Sequence, residues 1–307
     1  MIKRKGRQVI KRKKLITFLG GTFCILILII GMGFFFIQKV MEDSVNEKVG
    51  YFQAVKSILT LNFDGEEEQQ LKAERNMAQH EHVSIYYLEE DDDLLPVTIE
   101  TLDWAMQLTD SLLGEYKKRR LDLIYFKDRD KLLEFATLDL ISGFYSDFDK
   151  VIGMTTEGKE GILQEFETPL FFFQKTLLHE YTHYAFKQKL TQLKISNSDI
   201  PLWFEEGICE YVSYDQTTLS PHPFTLVPFY ELNSHADWNL ARTMEDTEPY
   251  MQSYLAIDYL IEEHGTEVIL TILNETKSHN DFNKGFEIAT GLDLTELEEQ
   301  INLRLGY

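Results

Sequence analysis

The chain has 307 residues, a formal net charge of −21 and two cysteines. That length accommodates a membrane segment plus one or two medium domains. The acidity excludes binding to nucleic acid through backbone phosphates, and two cysteines, Cys24 and Cys209, exclude a disulfide framework.

The charge is unevenly spread. Residues 1–14 hold eight Lys or Arg and no acid, which leaves 22 basic against 51 acidic residues for the remainder. Leu15 to Gln38 then run 24 residues without a charge. At about 1.5 Å per helical residue that is roughly 36 Å, enough for a hydrocarbon core of about 30 Å. Basic residues before the span predict a cytoplasmic N-terminus, with everything after Lys39 outside the cell. A cleaved signal peptide is the competing expectation, since Gly31-Met32-Gly33 offers small residues. The apolar run continues through Phe34-Phe35-Phe36-Ile37, however, and favours an uncleaved single-pass anchor. Phe23 precedes Cys24 where lipid attachment expects a small residue. A cysteine-poor exported chain suits the surface of a Gram-positive bacterium. The resulting plan is a basic segment at 1–14, a transmembrane helix at 15–38, a polar stalk at 39–79 and a body at 80–307. The body is expected to divide into a sheet-containing part at 80–190 and a helical part at 191–307.

Within the body, His80 and His82 flank Glu81 at the start of a strand and are expected on one side of it. Val83 to Leu88 alternates as a strand does, Pro96 to Tyr116 has helical apolar spacing, and Leu121 to Phe126 forms a second strand. Lys131 to Ala136 reads as a short helix. Gly143 to Met154 reads as one or two edge strands, whose glycines near Val151 either admit a peptide closely or mark a turn. After Asp215 a loop-rich stretch runs to about Phe229. Helices follow over 249–264, 266–276, 281–289 and 294–305, with Gly265 and Gly291 as stops.

Three stretches carry chemistry. His179-Glu180-Tyr181-Thr182-His183 lies in an apolar segment opened by Thr168-Pro169, an expected N-cap and first-turn proline. Residues four apart share a helix face, so two imidazoles aim at one point, and Glu180 projects beside it. Two imidazoles and a neighbouring carboxylate suit a hydrolytic zinc site, as two ligands and a general base. Such a site needs a third protein ligand. Glu206, in Trp203-Phe204-Glu205-Glu206-Gly207, is separated from His183 by twenty-two residues. Glu205 reads as an acid on the helix surface. The third stretch is Glu248-Pro249-Tyr250-Met251-Gln252-Ser253.

Together these stretches resemble the gluzincins, the thermolysin-like and aminopeptidase N-like zinc peptidases, over residues 168–265. The resemblance implies an α+β thermolysin-like zincin domain, with a small mixed β-sheet and a motif helix followed by a helical C-terminal part; the transmembrane helix read from the uncharged span stands before it. It implies zinc held by His179, His183 and Glu206, with Glu180 as general base. It further implies that Glu210, one turn beyond Glu206, orients a ligating histidine, and that Tyr250 stabilises the oxyanion. Tyr254, His222 and His235 stand as alternative donors. The spacing from His183 to Glu206 departs from that of the aminopeptidases, and no G-x-M-E-N stretch is present; Gly153-Met154-Thr155-Thr156 comes nearest. Without the Glu that recognises a free N-terminus, the resemblance implies an endopeptidase acting on peptides or proteins. The rival expectation is a surface binding or sensing module on the same fold without catalysis. Cys209, three residues beyond Glu206, is expected to be a small buried residue.

Overall fold

The computed structural model describes Met32 and residues 66–136, 142–219 and 222–306. The expected membrane span lies, Met32 apart, outside them. Among the described residues no helix is long and apolar enough to cross a membrane. The chain divides into two units, Met1–Ala73 and Glu74–Tyr307. In the first, Glu66–Ala73 is a helix (α1). Everything that follows belongs to the second.

Five strands form one mixed sheet: β1 (Asn76–His80), β2 (Val83–Tyr87), β3 (Leu121–Phe126), β4 (Gly143–Ser146) and β5 (Val151–Thr155). Their order is β1-β2-β3-β5-β4, with β2, β3 and β5 parallel and each outer strand antiparallel to its neighbour. The central position of β3 matches its sequence, Leu-Asp-Leu-Ile-Tyr-Phe, buried at every residue as expected of a strand covered on both faces. All of β1 but His80 falls in the stretch read as stalk, and the strand is mostly exposed. It makes an antiparallel hairpin with β2 through Glu81 and His82. Glu81 has φ of 49°, so His80 and His82 bracket a tight turn and do not open a strand. Val151–Thr155 is an inner strand, and only β4 of the Gly143–Met154 stretch is an edge.

Helix α2 (Leu95–Leu113) connects β2 to β3. It stops short of the expected Tyr116 because Gly114 takes φ of 63°, which ends the helix. Its inward face includes Thr98, Thr101 and Thr109, whose hydroxyls donate to carbonyls four residues back and so bury without orphaned polar atoms. Short helices α3 (Arg129–Ala136) and α4 (Lys159–Leu163) follow.

Among the described residues the longest element is α5 (Glu167–Leu193). It starts one residue before the expected cap, with Phe166 at the N-cap and no side-chain capping bond. Leu177, Leu178, Tyr181, Tyr184, Ala185, Phe186 and Leu190 are all buried along it. The Tyr184 hydroxyl accepts from Arg119 N at 2.7 Å and donates to Arg119 O at 2.6 Å, which ties this helix to the entry of the central strand. Against the sheet it meets β4 at Gly143. A side chain there would strike Thr176 at 2.5 Å and Glu180 at 3.3 Å, so this glycine sets how closely the edge strand passes.

Helix α6 (Leu202–Ser213) crosses α5 and is followed by α7 (His235–Ala241), α8 (Pro249–His264), α9 (Glu267–His279), α10 (Phe282–Thr290) and α11 (Leu294–Leu305). Gly265 and Gly291, at φ of 80° and 74°, end α8 and α10 as the sequence suggests. The aromatic cluster Trp203, Phe204, Phe229, Phe282 and Phe286 packs α6 against the C-terminal helices. The buried Gln252 amide clamps the preceding loop, donating to Val227 O at 2.6 Å and accepting from Val227 N at 2.9 Å. α6 and α8 touch backbone to backbone: a Cβ on Gly207 would lie 2.5 Å from Ser253 O.

Candidate metal centre

The i, i+4 spacing on α5 places the rings of His179 and His183 4.9 Å apart, at 72° to one another. Glu206 reaches both from α6: its Oε2 lies 3.4 Å from His179 Nε2 and 3.7 Å from His183 Nε2. That oxygen is buried and has no hydrogen-bond partner. A buried acceptor left unpaired costs about 1–3 kcal/mol, more when charged, so its place between two imidazole nitrogens calls for a cation. Three N and O atoms bound tetrahedrally at about 2.0–2.1 Å would stand about 3.4 Å apart. The observed separations fit zinc.

The far nitrogens of both rings are engaged. His179 Nδ1 is 3.0 Å from Glu210 Oε1, and His183 Nδ1 is 2.9 Å from Glu205 Oε1. Each carboxylate fixes the Nδ1–H tautomer and turns Nε2 inward. Each is met in turn by an ammonium from α5. Lys175 Nζ lies 2.9 Å from Glu210 Oε2 and sits 4.4 Å over the Tyr214 ring, and Lys187 pairs with Glu205. Glu205 is therefore a buried partner of the site, 5 % exposed, and not the surface acid its sequence position suggests.

Charge shapes the proton affinities. Burial opposes charge on His179, yet the Glu206 and Glu210 carboxylates outweigh it and raise the imidazole to about 10. Burial alone would push Glu205 and Glu210 up. Their histidine and lysine partners win and hold each at about 2. Burial raises the Glu180 carboxyl above its usual range, with the two histidines pulling the other way. Carboxylates gathered round two imidazoles favour a dication by their charge.

Tyr250 opens α8 beside this cluster. Its ring stands 6.4 Å from that of His179 and 5.0 Å from that of Trp238, with the Arg242 guanidinium 5.6 Å over its face. Burial and the nearby Glu206 charge raise its phenol, so the hydroxyl keeps its proton as a donor. Tyr254 instead packs on Tyr211 and Tyr214. His222 and His235 are exposed. Cys209 is buried as expected, and its sulfur and one nitrogen from each of His179 and His183 lie within 4.8 Å of one another. Burial first, then the surrounding carboxylates, push its thiol well up. Lys175 and Lys187 escaped the sequence reading. The signal was available, since each lies four residues from one motif histidine along the same face.

Residues 164–293 match the collagenase family of peptidases, a zinc-dependent family, and zinc is the cofactor this site takes. The matched segment contains every residue of the cluster and covers less than half of the chain. Over 215 residues the chain is 35% identical to the uncharacterized protein YhcO of Bacillus subtilis (strain 168), spanning 70% of this chain and 67% of that protein.

Proposed function

The chain belongs to one family with YhcO, and from that premise, together with its zinc-peptidase segment, we propose that it is a membrane-anchored endopeptidase of gluzincin type working outside the cell. The observation that carries this reading is the orphaned Glu206 Oε2, buried between two imidazole nitrogens whose tautomers are fixed from behind. His179, His183 and Glu206 hold the metal in this proposal. Cys209 stands outside the proposed set, in which Glu206 is preferred because its buried oxygen, without a hydrogen-bond partner, lies between the two imidazole nitrogens.

Held by His179, His183 and Glu206, a zinc ion would supply Lewis acidity at the scissile carbonyl and would lower the pKa of water towards about 7. Glu180 takes the proton of the attacking water and delivers it to the departing amine nitrogen. Burial raises its carboxyl, which favours the first of these transfers. The Tyr250 hydroxyl donates to the carbonyl oxygen as charge develops there. The outer edge of β4, which passes Glu180 at Gly143, supports an extended peptide pairing with the sheet across the site. No G-x-M-E-N acid is present to hold a free N-terminus, which supports cleavage within chains.

The test is zinc stoichiometry together with cleavage of denatured casein, by the wild type and Glu180→Gln. The reading expects one zinc in both and cleavage only in the wild type; a zinc-loaded wild type without peptidase activity on any unfolded protein would leave a binding module instead. Topology is tested separately, with protease added to intact cells. Removal of the body is expected, and its full protection overturns the external location.

A further inference from the structure

Three carboxylates on α6 face the histidine pair, and only one is left for the metal. Glu205 and Glu210 each bond a histidine Nδ1 and a lysine Nζ, so both are saturated. Glu206 Oε2 alone has no partner. The two lysines come from α5 itself, which thus presents Lys175, His179, His183 and Lys187 at successive four-residue intervals. Both ammoniums are mostly buried, at 18 % and 15 % exposed. Four buried carboxylates, counting Glu180, face two ammoniums. The formal surplus is two negative charges, the complement of one dication.

We propose that Lys175 and Lys187 are positioning residues for the metal: each locks one α6 carboxylate onto one histidine, so that Glu206 alone turns to the metal. The inference rests on the ligand set proposed above. Without its ammonium, Glu205 or Glu210 has a free oxygen that can rotate off the histidine or compete with Glu206. In either case the histidine loses its fixed tautomer. A role confined to stitching α5 to α6 would change stability and leave the metal alone.

The two roles separate in a zinc titration against a chelator of known affinity. Lys187→Met is expected to weaken zinc binding about 10–100-fold, as loss of an orienting partner does, and Lys187→Arg to restore most of it. The same Lys187→Met change in a Glu205→Gln background is expected to cost little further, because the carboxylate it acts through is gone. Lys175 with Glu210 should repeat the pattern. Where a Met variant does not fold, Lys→Gln replaces it in the same cycle. Unchanged zinc affinity in the folded lysine variants, or equal losses with and without Glu205, overturns the inference. A wild type that binds no zinc overturns the ligand set itself, and the same titration shows it.

Discussion

Two histidine pairs lie in this body, and only one of them makes a metal site. His80 and His82 are closer in sequence than His179 and His183. In the hairpin, however, the turn at Glu81 sends them apart. His80 meets Asp103 at 2.7 Å, while His82 reaches the Tyr181 hydroxyl at 3.2 Å and stacks on Tyr184. On α5 the four-residue interval brings two rings to one face, and a second helix supplies a carboxylate for each nitrogen. Proximity in sequence does not make a site. Convergence of the inner nitrogens, with each outer nitrogen held from behind, does.

The comparison breaks most completely if the helical pair loses a ligand. His183→Ala and Glu206→Gln are expected to lose zinc and with it all turnover, read by metal analysis of purified protein and by casein cleavage. Cys209→Ser is expected to keep both. Next comes Glu180→Gln, which should retain one zinc and lose about 10²–10⁴ in kcat, the range for a general base. Tyr250→Phe keeps the ring that packs on Trp238 and removes only the hydroxyl. A loss of about 10²–10³ in kcat with little change in KM is expected. Normal turnover in this variant would make Tyr250 a packing residue.

The smallest effects belong to the hairpin. His80→Ala and His82→Gln should leave zinc content and kcat unchanged. His82 has a pH signature of its own: burial, helped by the Lys118 charge, brings its imidazole from 6.5 down to about 4. As pH falls, the unfolded chain takes up this proton first. The stability from neutral His82 is therefore complete above about pH 6.5 and is lost as pH drops through 4. Thermal melts of His82→Gln should show a shallower decline than wild type across that window. An identical decline would mean that His82 does not sense pH.

The parts of the site that were legible in the sequence are those fixed by helical phase. His179, Glu180 and His183 follow from spacing on one helix and from chemistry that needs those residue types, whereas Glu206, Glu210 and Tyr250, on α6 and α8, came with the resemblance to the gluzincins. Glu205 was misread because its environment is tertiary. A residue beside Glu206 points out or in according to how α6 rotates against α5, which no local pattern records. Lys175 and Lys187 carry a local signal in their four-residue spacing from the histidines; what that spacing leaves open is their partners, which lie on another helix. The β1 strand escaped because its polar, half-exposed sequence reads as stalk until β2 pairs with it. Edge strands carry little of the alternation that reveals inner ones.

Gly207 has no functional group, yet it calibrates the distance across which this site works. It stands immediately after Glu206 on α6 and presses on Ser253 O, one turn beyond Tyr250 on α8. The spacing of those two helices is a gauge whose setting is a single hydrogen atom. Adding a methyl group lengthens the gauge, and a shift of about 1 Å at a reacting centre can cost ~10²-fold in rate. Drift at this position would show first as lost tolerance for the reaction, in a protein that still folds and still binds its metal.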